Sequence, residues 1–76
     1  MQEKIEAFFD EWDFGDAWED HELNFQHFDD ASQSILFLVA DEESIEEVRP
    51  AVKEAMKALV EAHPECDAVS YEIEAG

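Results

Sequence analysis

The sequence SILFLVA, at residues 34–40, contains the longest apolar run in the chain. Its Ile and Val side chains are typical of β-strands, and its lack of polar alternation indicates a central strand that is covered on both faces. The run is far too short to span a lipid bilayer. We therefore predict a buried strand at residues 34–40 and place the other elements around it.

A second strand is predicted just before this run. From residue 23 to residue 28 the side chains alternate with a period of two, with Leu23, Phe25 and His27 in one set and Asn24, Gln26 and Phe28 in the other. Residues 29–32, Asp-Asp-Ala-Ser, are turn-forming types. We expect the two strands to pair as an antiparallel hairpin.

A helix is predicted before the hairpin, over about residues 2–13. Four apolar side chains recur there at i, i+3, i+4 and i+7, which places them on one helix face: Ile5, Phe8, Phe9 and Trp12. Gly15 suits a helix stop, and residues 16–20 are predicted to form a connection.

A second helix is predicted after the hairpin. Ser44 and Glu47 fit a capping box, and apolar residues recur at helical spacing from Ile45 onward to residue 63. Pro50 removes one backbone hydrogen bond, so we expect either a kink or a short turn followed by a helix that begins at Pro50. Pro64 ends this helical segment.

The last predicted element is a third strand, in which Val69, Tyr71 and Ile73 alternate with polar residues. The fold class is therefore α+β: one α-β-β-α-β domain over residues 1–76, with a three-stranded sheet packed by two helices. A crossover through the second helix places the third strand parallel to the second. The alternative order sets it antiparallel beside the first strand.

Charge is the dominant feature of the composition. The chain has 22 Asp and Glu residues against four Lys and Arg, a formal net charge of −18. Such a field repels nucleic acid and anionic lipid, and it attracts basic protein surfaces. We therefore expect no direct nucleic-acid binding and no membrane partner.

Catalytic and metal-site patterns are weak. Of the possible zinc ligands, only Cys66 supplies sulfur, and His63 is its one near neighbour in sequence. In residues 10–21, Gly15 stands at the sixth position, where an EF-hand calcium-binding loop has glycine. Trp12 and Phe14, however, occupy positions that hold calcium ligands in such a loop. No nucleophile turn or phosphate loop is present. We predict a protein that is not an enzyme and has no catalytic residue, metal or cofactor.

Acidic residues cluster in two segments of the chain. Residues 1–30 contain eleven acids and one Lys, and residues 41–47 contain five acids. Along a helix, acids three or four residues apart form a row that can imitate phosphates. The predicted partner-binding residues are Glu3, Glu6, Asp10, Asp13, Asp16, Glu19, Asp20, Asp41, Glu42, Glu43, Glu46 and Glu47.

The two tryptophans, Trp12 and Trp18, are predicted to lie in the core, because large aromatic side chains are mostly buried. An exposed tryptophan beside the acids would instead be a candidate interface anchor, since Trp is enriched at interface hot spots.

The leading functional hypothesis is an acidic inhibitor that mimics nucleic acid and binds the basic surface of a DNA- or RNA-handling protein. In size and charge the chain is similar in kind to the small acidic inhibitors that phages use against host defence, including DNA mimics and anti-CRISPR proteins. Those inhibitors share no common motif, so no residue role is carried over from them.

Two other hypotheses remain open. The acidity could be adaptation of an ordinary small domain to a salt-rich solvent, or the chain could be an acidic adaptor or regulatory subunit. An exposed sheet edge would allow a homodimer. The chain shows no signal-peptide pattern, so we expect a cytoplasmic protein, in the host cytoplasm if it is phage-encoded.

Overall fold

Three strands form one mixed sheet in the order β1-β2-β3 in the computed structural model, which describes residues 2–76. The elements are α1 (Gln2–Glu11), α2 (Asp16–His21), β1 (Asn24–Asp29), β2 (Ser34–Val39), α3 (Glu42–Ala62), a 3₁₀ segment (Pro64–Ala68) and β3 (Ser70–Ala75). This is a small compact α+β domain with the predicted α-β-β-α-β order, to which α2 is a short addition.

β2 is the central strand, as its apolar run predicted. It pairs antiparallel with β1 and parallel with β3, in register from Ser34 opposite Ser70 to Val39 opposite Ala75. The parallel arrangement predicted for the third strand is therefore confirmed. α3 makes the crossover that returns the chain to the start of β3.

The expectation that β2 is covered on both faces is wrong. Ile35, Phe37 and Val39 are buried, whereas Leu36 and Leu38 are only half-buried and lie outside the core cluster. The core also contains side chains of α1 and α3, so both helices pack on a single face of the sheet. A strand with an apolar run can thus be covered on one face only, because two long helices are sufficient to cover just one face of a three-stranded sheet.

A β-bulge in β1 changes which side chains of that strand face the core, compared with the prediction. The pairing register shifts between Phe25 and His27, so Phe25 lies opposite Phe37 and Phe28 lies opposite Ile35. Phe28 is buried in the core and Phe25 packs against it. The simple alternation placed Phe28 on the opposite face from Phe25. The extra residue of a bulge reverses the alternation beyond it, which period-two reasoning does not anticipate.

The start of α3 also differs from the predicted capping box. Asp41 is the N-cap residue, and its Oδ1 accepts hydrogen bonds from the Ser44 backbone N–H and from the Ser44 hydroxyl, both at 3.0 Å. α3 begins at Glu42 and runs through Pro50, so the alternative in which the helix begins at Pro50 is wrong. Pro50 and Glu46 are both exposed, so water can reach the Glu46 carbonyl that Pro50 leaves without a helical partner.

Candidate protein-interaction surface

All twelve acids predicted to bind a partner have exposed side chains. They are Glu3, Glu6, Asp10, Asp13, Asp16, Glu19, Asp20, Asp41, Glu42, Glu43, Glu46 and Glu47. The fold does not arrange them as one row. It places half of them on two concave surfaces, one on each side of α2.

The larger surface is a cleft of about 830 Å³ between the end of α1, the loop before α2, α2 itself and the start of β1. Three predicted acids line it: Glu6, Asp10 and Asp13. Its remaining walls are largely aromatic, so we call it the acidic aromatic cleft. α1 ends at Glu11, two residues earlier than predicted, so Asp13 reaches the cleft from the loop and not from a helical row.

The aromatic walls of the cleft are packed against each other. The Phe9 ring stacks on Phe25, with centroids 5.1 Å apart, and on Phe14, with centroids 6.2 Å apart. Phe9 also meets the buried Phe37 edge to face. This packing holds the half-buried Phe14 and Phe25 in place, because displaced rings would lose their contacts with the core.

The position of Trp18 contradicts the prediction for the tryptophans. Trp18 lines the cleft and is 54% exposed, whereas Trp12 is half-buried and stacks on Phe8. α2 has only six residues and turns Ala17 and His21, which are four residues apart, toward the rest of the fold. Trp18, the next residue after Ala17, is therefore directed to the outside. The sequence pattern does not reveal this, because it predicts a connection at residues 16–20, whereas the structure has the helix α2 there.

The second surface is a groove of about 320 Å³ between α2 and α3, which we call the α2–α3 groove. Asp16 and Asp20 line it from α2, and Glu47 and Glu54 line it from α3. Glu54 was not among the predicted partner-binding residues. Its spacing could have identified it, because residues 47, 51 and 54 lie on one face of the helix.

A polar network fastens α2 to the start of α3. His21 Nδ1 lies 2.8 Å from the Ser44 hydroxyl, and His21 Nε2 lies 3.2 Å from a Glu47 carboxylate oxygen. The His21 carbonyl also accepts a hydrogen bond from the Ala40 backbone N–H at 2.9 Å. Ser44 is buried, so the network fixes the orientation of α2 between the two acidic surfaces.

The basic residues lie mainly elsewhere. Arg49, Lys53 and Lys57 recur every four residues, which makes them one stripe on α3. Lys57 shares a groove with Tyr71 of β3, so this stripe follows the β3 side of α3, away from the α2–α3 groove. The pKa of Arg49 is raised, mainly by its hydrogen bond to Glu46 and secondly by Tyr71. The same hydrogen bond between Arg49 and Glu46 lowers the pKa of Glu46.

The remaining base, Lys4, is paired on α1. Its Nζ lies 2.9 Å from a Glu65 carboxylate oxygen in the 3₁₀ segment. This hydrogen bond raises the pKa of Lys4 and lowers the pKa of Glu65. None of the residues that line the acidic aromatic cleft is Lys, Arg or His.

Several predicted site residues stand apart from both surfaces. Asp41 caps α3, Glu46 pairs with Arg49, and Glu3 faces a shallow groove that includes His63. Glu42 and Glu43 occupy the first turn of α3, where carboxylates interact favourably with the positive end of the helix dipole. Glu19 is exposed on α2 without lining either surface. The acids of the two sequence clusters are therefore distributed over two concave surfaces and several separate exposed positions.

Cys66 is fully buried, as expected for a small thiol, and its burial raises the pKa of that thiol. Across residues 2–76, no three or more His, Cys, Asp and Glu side chains come together in a way that would hold a metal ion. None of the helices described in that range is both long enough and apolar enough to cross a bilayer.

No family model, curated protein or solved structure matches this chain.

Proposed function

We propose that this protein is an acidic inhibitor that occupies the nucleic-acid-binding surface of a basic DNA- or RNA-handling protein, in the manner of phage anti-defence proteins. The supporting observation is the separation of charge: the two concave surfaces beside α2 carry carboxylates, whereas three of the four bases form a stripe on the β3 side of α3. A surface that presents acids without interspersed bases attracts a cationic partner and repels nucleic acid.

The spacing of the acids is compatible with this role. Acids one helical turn apart, such as Asp16 and Asp20 or Glu43 and Glu47, have Cβ atoms about 5–6 Å apart. Phosphates along one strand of duplex DNA lie a few ångströms apart along the axis. Lys and Arg side chains are long and flexible, so a row that differs from phosphate spacing by one or two ångströms still provides a partner for each of them.

Matched charge-reversal variants test the proposal. In the first, Glu6, Asp10, Asp20 and Glu54, which are two acids from each surface, are changed to Lys; none of their side chains makes a hydrogen bond or ion pair within residues 2–76. In the second, the changed residues are Glu61, Asp67, Glu72 and Glu74, which lie away from α2. In each variant the four changes from acid to Lys raise the formal net charge by eight units, from −18 to −10.

The partner is captured from lysate, identified by mass spectrometry, and assayed for displacement of its nucleic acid. We expect the first variant to lose displacement and the second to retain most of it, with inhibition that weakens steeply as salt is added. Circular dichroism verifies that both variants are folded. Equal loss in both variants contradicts a specific surface, and full activity of both contradicts the mimicry itself.

A second candidate function has an observation of its own. Acids also lie away from α2: Glu72 and Glu74 are exposed on β3, and Asp29 and Asp30 are exposed at the hairpin turn. Acids on every side are expected of a domain adapted to a salt-rich solvent, in which repulsion is screened. The test of this second candidate is the dependence of the domain's stability on salt concentration.

A further inference from the structure

We propose that the acidic aromatic cleft binds an arginine side chain of the partner protein, with its guanidinium group against Trp18 and its charge facing Glu6, Asp10 and Asp13. This inference rests on the proposed function insofar as that function supplies a basic partner. It goes further by naming one recognised side chain and the place where it binds.

The shape of the cleft suits an inserted side chain. Its volume of about 830 Å³ lies within the range of ordinary ligand sites, about 300–1,000 Å³. Trp18 is the only large hydrophobic side chain that is exposed within residues 2–76, and it lines this cleft. An exposed indole next to stacked phenylalanine rings provides an aromatic face that a flat cation can cover.

The charge of the cleft selects a cation. The side chains of Glu6 and Asp10 make no hydrogen bond or ion pair within residues 2–76, so their carboxylates are available to a ligand. Asp13 directs one oxygen to the Gly15 backbone N–H at 2.7 Å and keeps its second oxygen. Among the described residues, no Lys, Arg or His side chain lines the cleft to neutralise these acids.

Arginine fits this combination better than lysine does. The guanidinium group is planar, stacks on aromatic rings, and donates paired hydrogen bonds to a carboxylate in a fixed geometry. The lysine ammonium is a more strongly hydrated point charge and loses more solvation when it is placed against an aromatic wall. The cleft is also prepared in advance, because Phe9 stacking and the His21 network hold its walls before a ligand arrives.

The experiment measures binding of three capped pentapeptides, Gly-Gly-Xaa-Gly-Gly, in which Xaa is arginine, lysine or citrulline. Chemical-shift changes are followed by NMR in the full-length protein at low salt. We expect the arginine peptide to shift the NMR signals of the Trp18 indole and of Asn24, which also lines the cleft, and to bind more tightly than the lysine peptide. The uncharged citrulline peptide should bind most weakly.

Variants place the binding at the cleft. Trp18→Ala should weaken arginine binding by about fivefold through the lost cation–π contact, and Asp10→Asn by about two- to fivefold through the lost charge. Both side chains are exposed, so the fold should persist. The control, Glu72→Gln, removes the same charge from the opposite sheet face and should leave the affinity unchanged. Equal binding of arginine and lysine peptides, together with no effect of Trp18→Ala, overturns the proposal.

Failure of this inference is distinguishable from failure of the proposed function. If Trp18→Ala weakens arginine-peptide binding as expected while the wild type displaces no nucleic acid from any captured partner, the cleft stands and the mimicry is wrong. If the wild type displaces nucleic acid but peptide binding follows charge alone, the mimicry stands and the arginine site is wrong.

Discussion

Gly15 has a backbone conformation that few other residues adopt. Its φ of 59° and ψ of −128° lie outside the regions open to ordinary L-residues, and it is the residue from which α2 begins. Its amide donates to Asp13, and its carbonyl accepts from the Trp18 and Glu19 backbone N–H groups. One residue therefore directs the chain from the end of α1 into the helix that carries Trp18.

Gly15→Ala should destabilise the domain by about 1–3 kcal/mol, the usual cost of a strained backbone. The added Cβ has open space around it, so the cost comes from the backbone and not from a clash. Urea unfolding followed by circular dichroism measures the change. Gly76→Ala is the control, because Gly76 has no positive φ, and it should change stability by less than about 0.5 kcal/mol. Equal stability of both variants contradicts the role of Gly15.

Ser44 is the buried centre of the network that positions α2. Ser44→Ala removes its hydroxyl contacts with Asp41 and with His21 Nδ1, so we expect a loss of about 1–2 kcal/mol in urea unfolding. The His21 ring signals should also move in NMR spectra. Ser70→Ala is the matched control at an exposed site and should have little effect. An unchanged His21 environment in Ser44→Ala would show that α2 is held by other contacts.

At the scale of elements, the two long helices share one sheet face but are tied to the fold differently. α3 is anchored by a line of fully buried side chains that includes Val48, Val52 and Leu59. α1 has ten residues and only Ile5 and Phe9 are buried. Its one ion pair across the fold joins Lys4 to Glu65. We therefore expect the Lys4–Glu65 pair to contribute more to the packing of α1 on the fold than the exposed charges of α3 contribute to the packing of α3.

The Lys4–Glu65 coupling should depend on pH. The pKa of Glu65 is lowered from its ordinary 4.5, so its contribution is present above that value and is lost as pH falls through the lowered pKa. The pKa of Lys4 is raised from its ordinary 10.5, so its contribution is lost only as pH rises through the raised pKa. A double-mutant cycle of Lys4→Gln and Glu65→Gln in urea should show coupling at pH 7 and less coupling at pH 2, because the Glu65 carboxylate is protonated as pH falls through its lowered pKa.

The control for this cycle pairs Lys53→Gln with Glu65→Gln, since Lys53 has no ion-pair partner among residues 2–76. That pair should show little coupling at either pH. Coupling of Lys4 and Glu65 that is the same at pH 2 as at pH 7 would mean that the contact does not depend on the ionised carboxylate.

At the scale of the whole molecule, 22 acids occupy a body of 31 × 23 × 17 Å. The screening length is about 10 Å at 0.1 M salt and about 3 Å at 1 M. At low salt each carboxylate therefore interacts with many others across the molecule, whereas at molar salt it interacts only with its nearest neighbours. Self-repulsion is stronger in the folded state, because the unfolded chain spreads the same charge over a larger volume.

Thermal unfolding should therefore shift upward with salt, by about 4–8 °C for each 1 kcal/mol of repulsion removed. The proposed inhibitor should remain folded at 50 mM salt, because its charge serves a partner under ordinary conditions. Unfolding on removal of salt would instead favour the salt-adapted domain. The variant that reverses Glu61, Asp67, Glu72 and Glu74 is the control: its smaller net charge should reduce the salt dependence whichever function is correct.

The sequence alone determined the order of the elements and the size of the charge, because both depend on local periodicity and on composition. Helical and strand spacings identified α1, β1, β2, α3 and β3, and the apolar run placed β2 at the centre of the sheet. The exposure of the acids also followed, since a charged side chain without a partner is costly to bury.

Tertiary structure alone decided where those acids face and which side chains join them. The cleft combines residues of α1, α2 and β1, and no pattern within one element reveals that Phe9, Trp18 and Phe25 border the same space. The bulge in β1 and the positive φ of Gly15 set those directions. Each depends on how the chain packs against distant residues, and local spacing carries no information about such contacts.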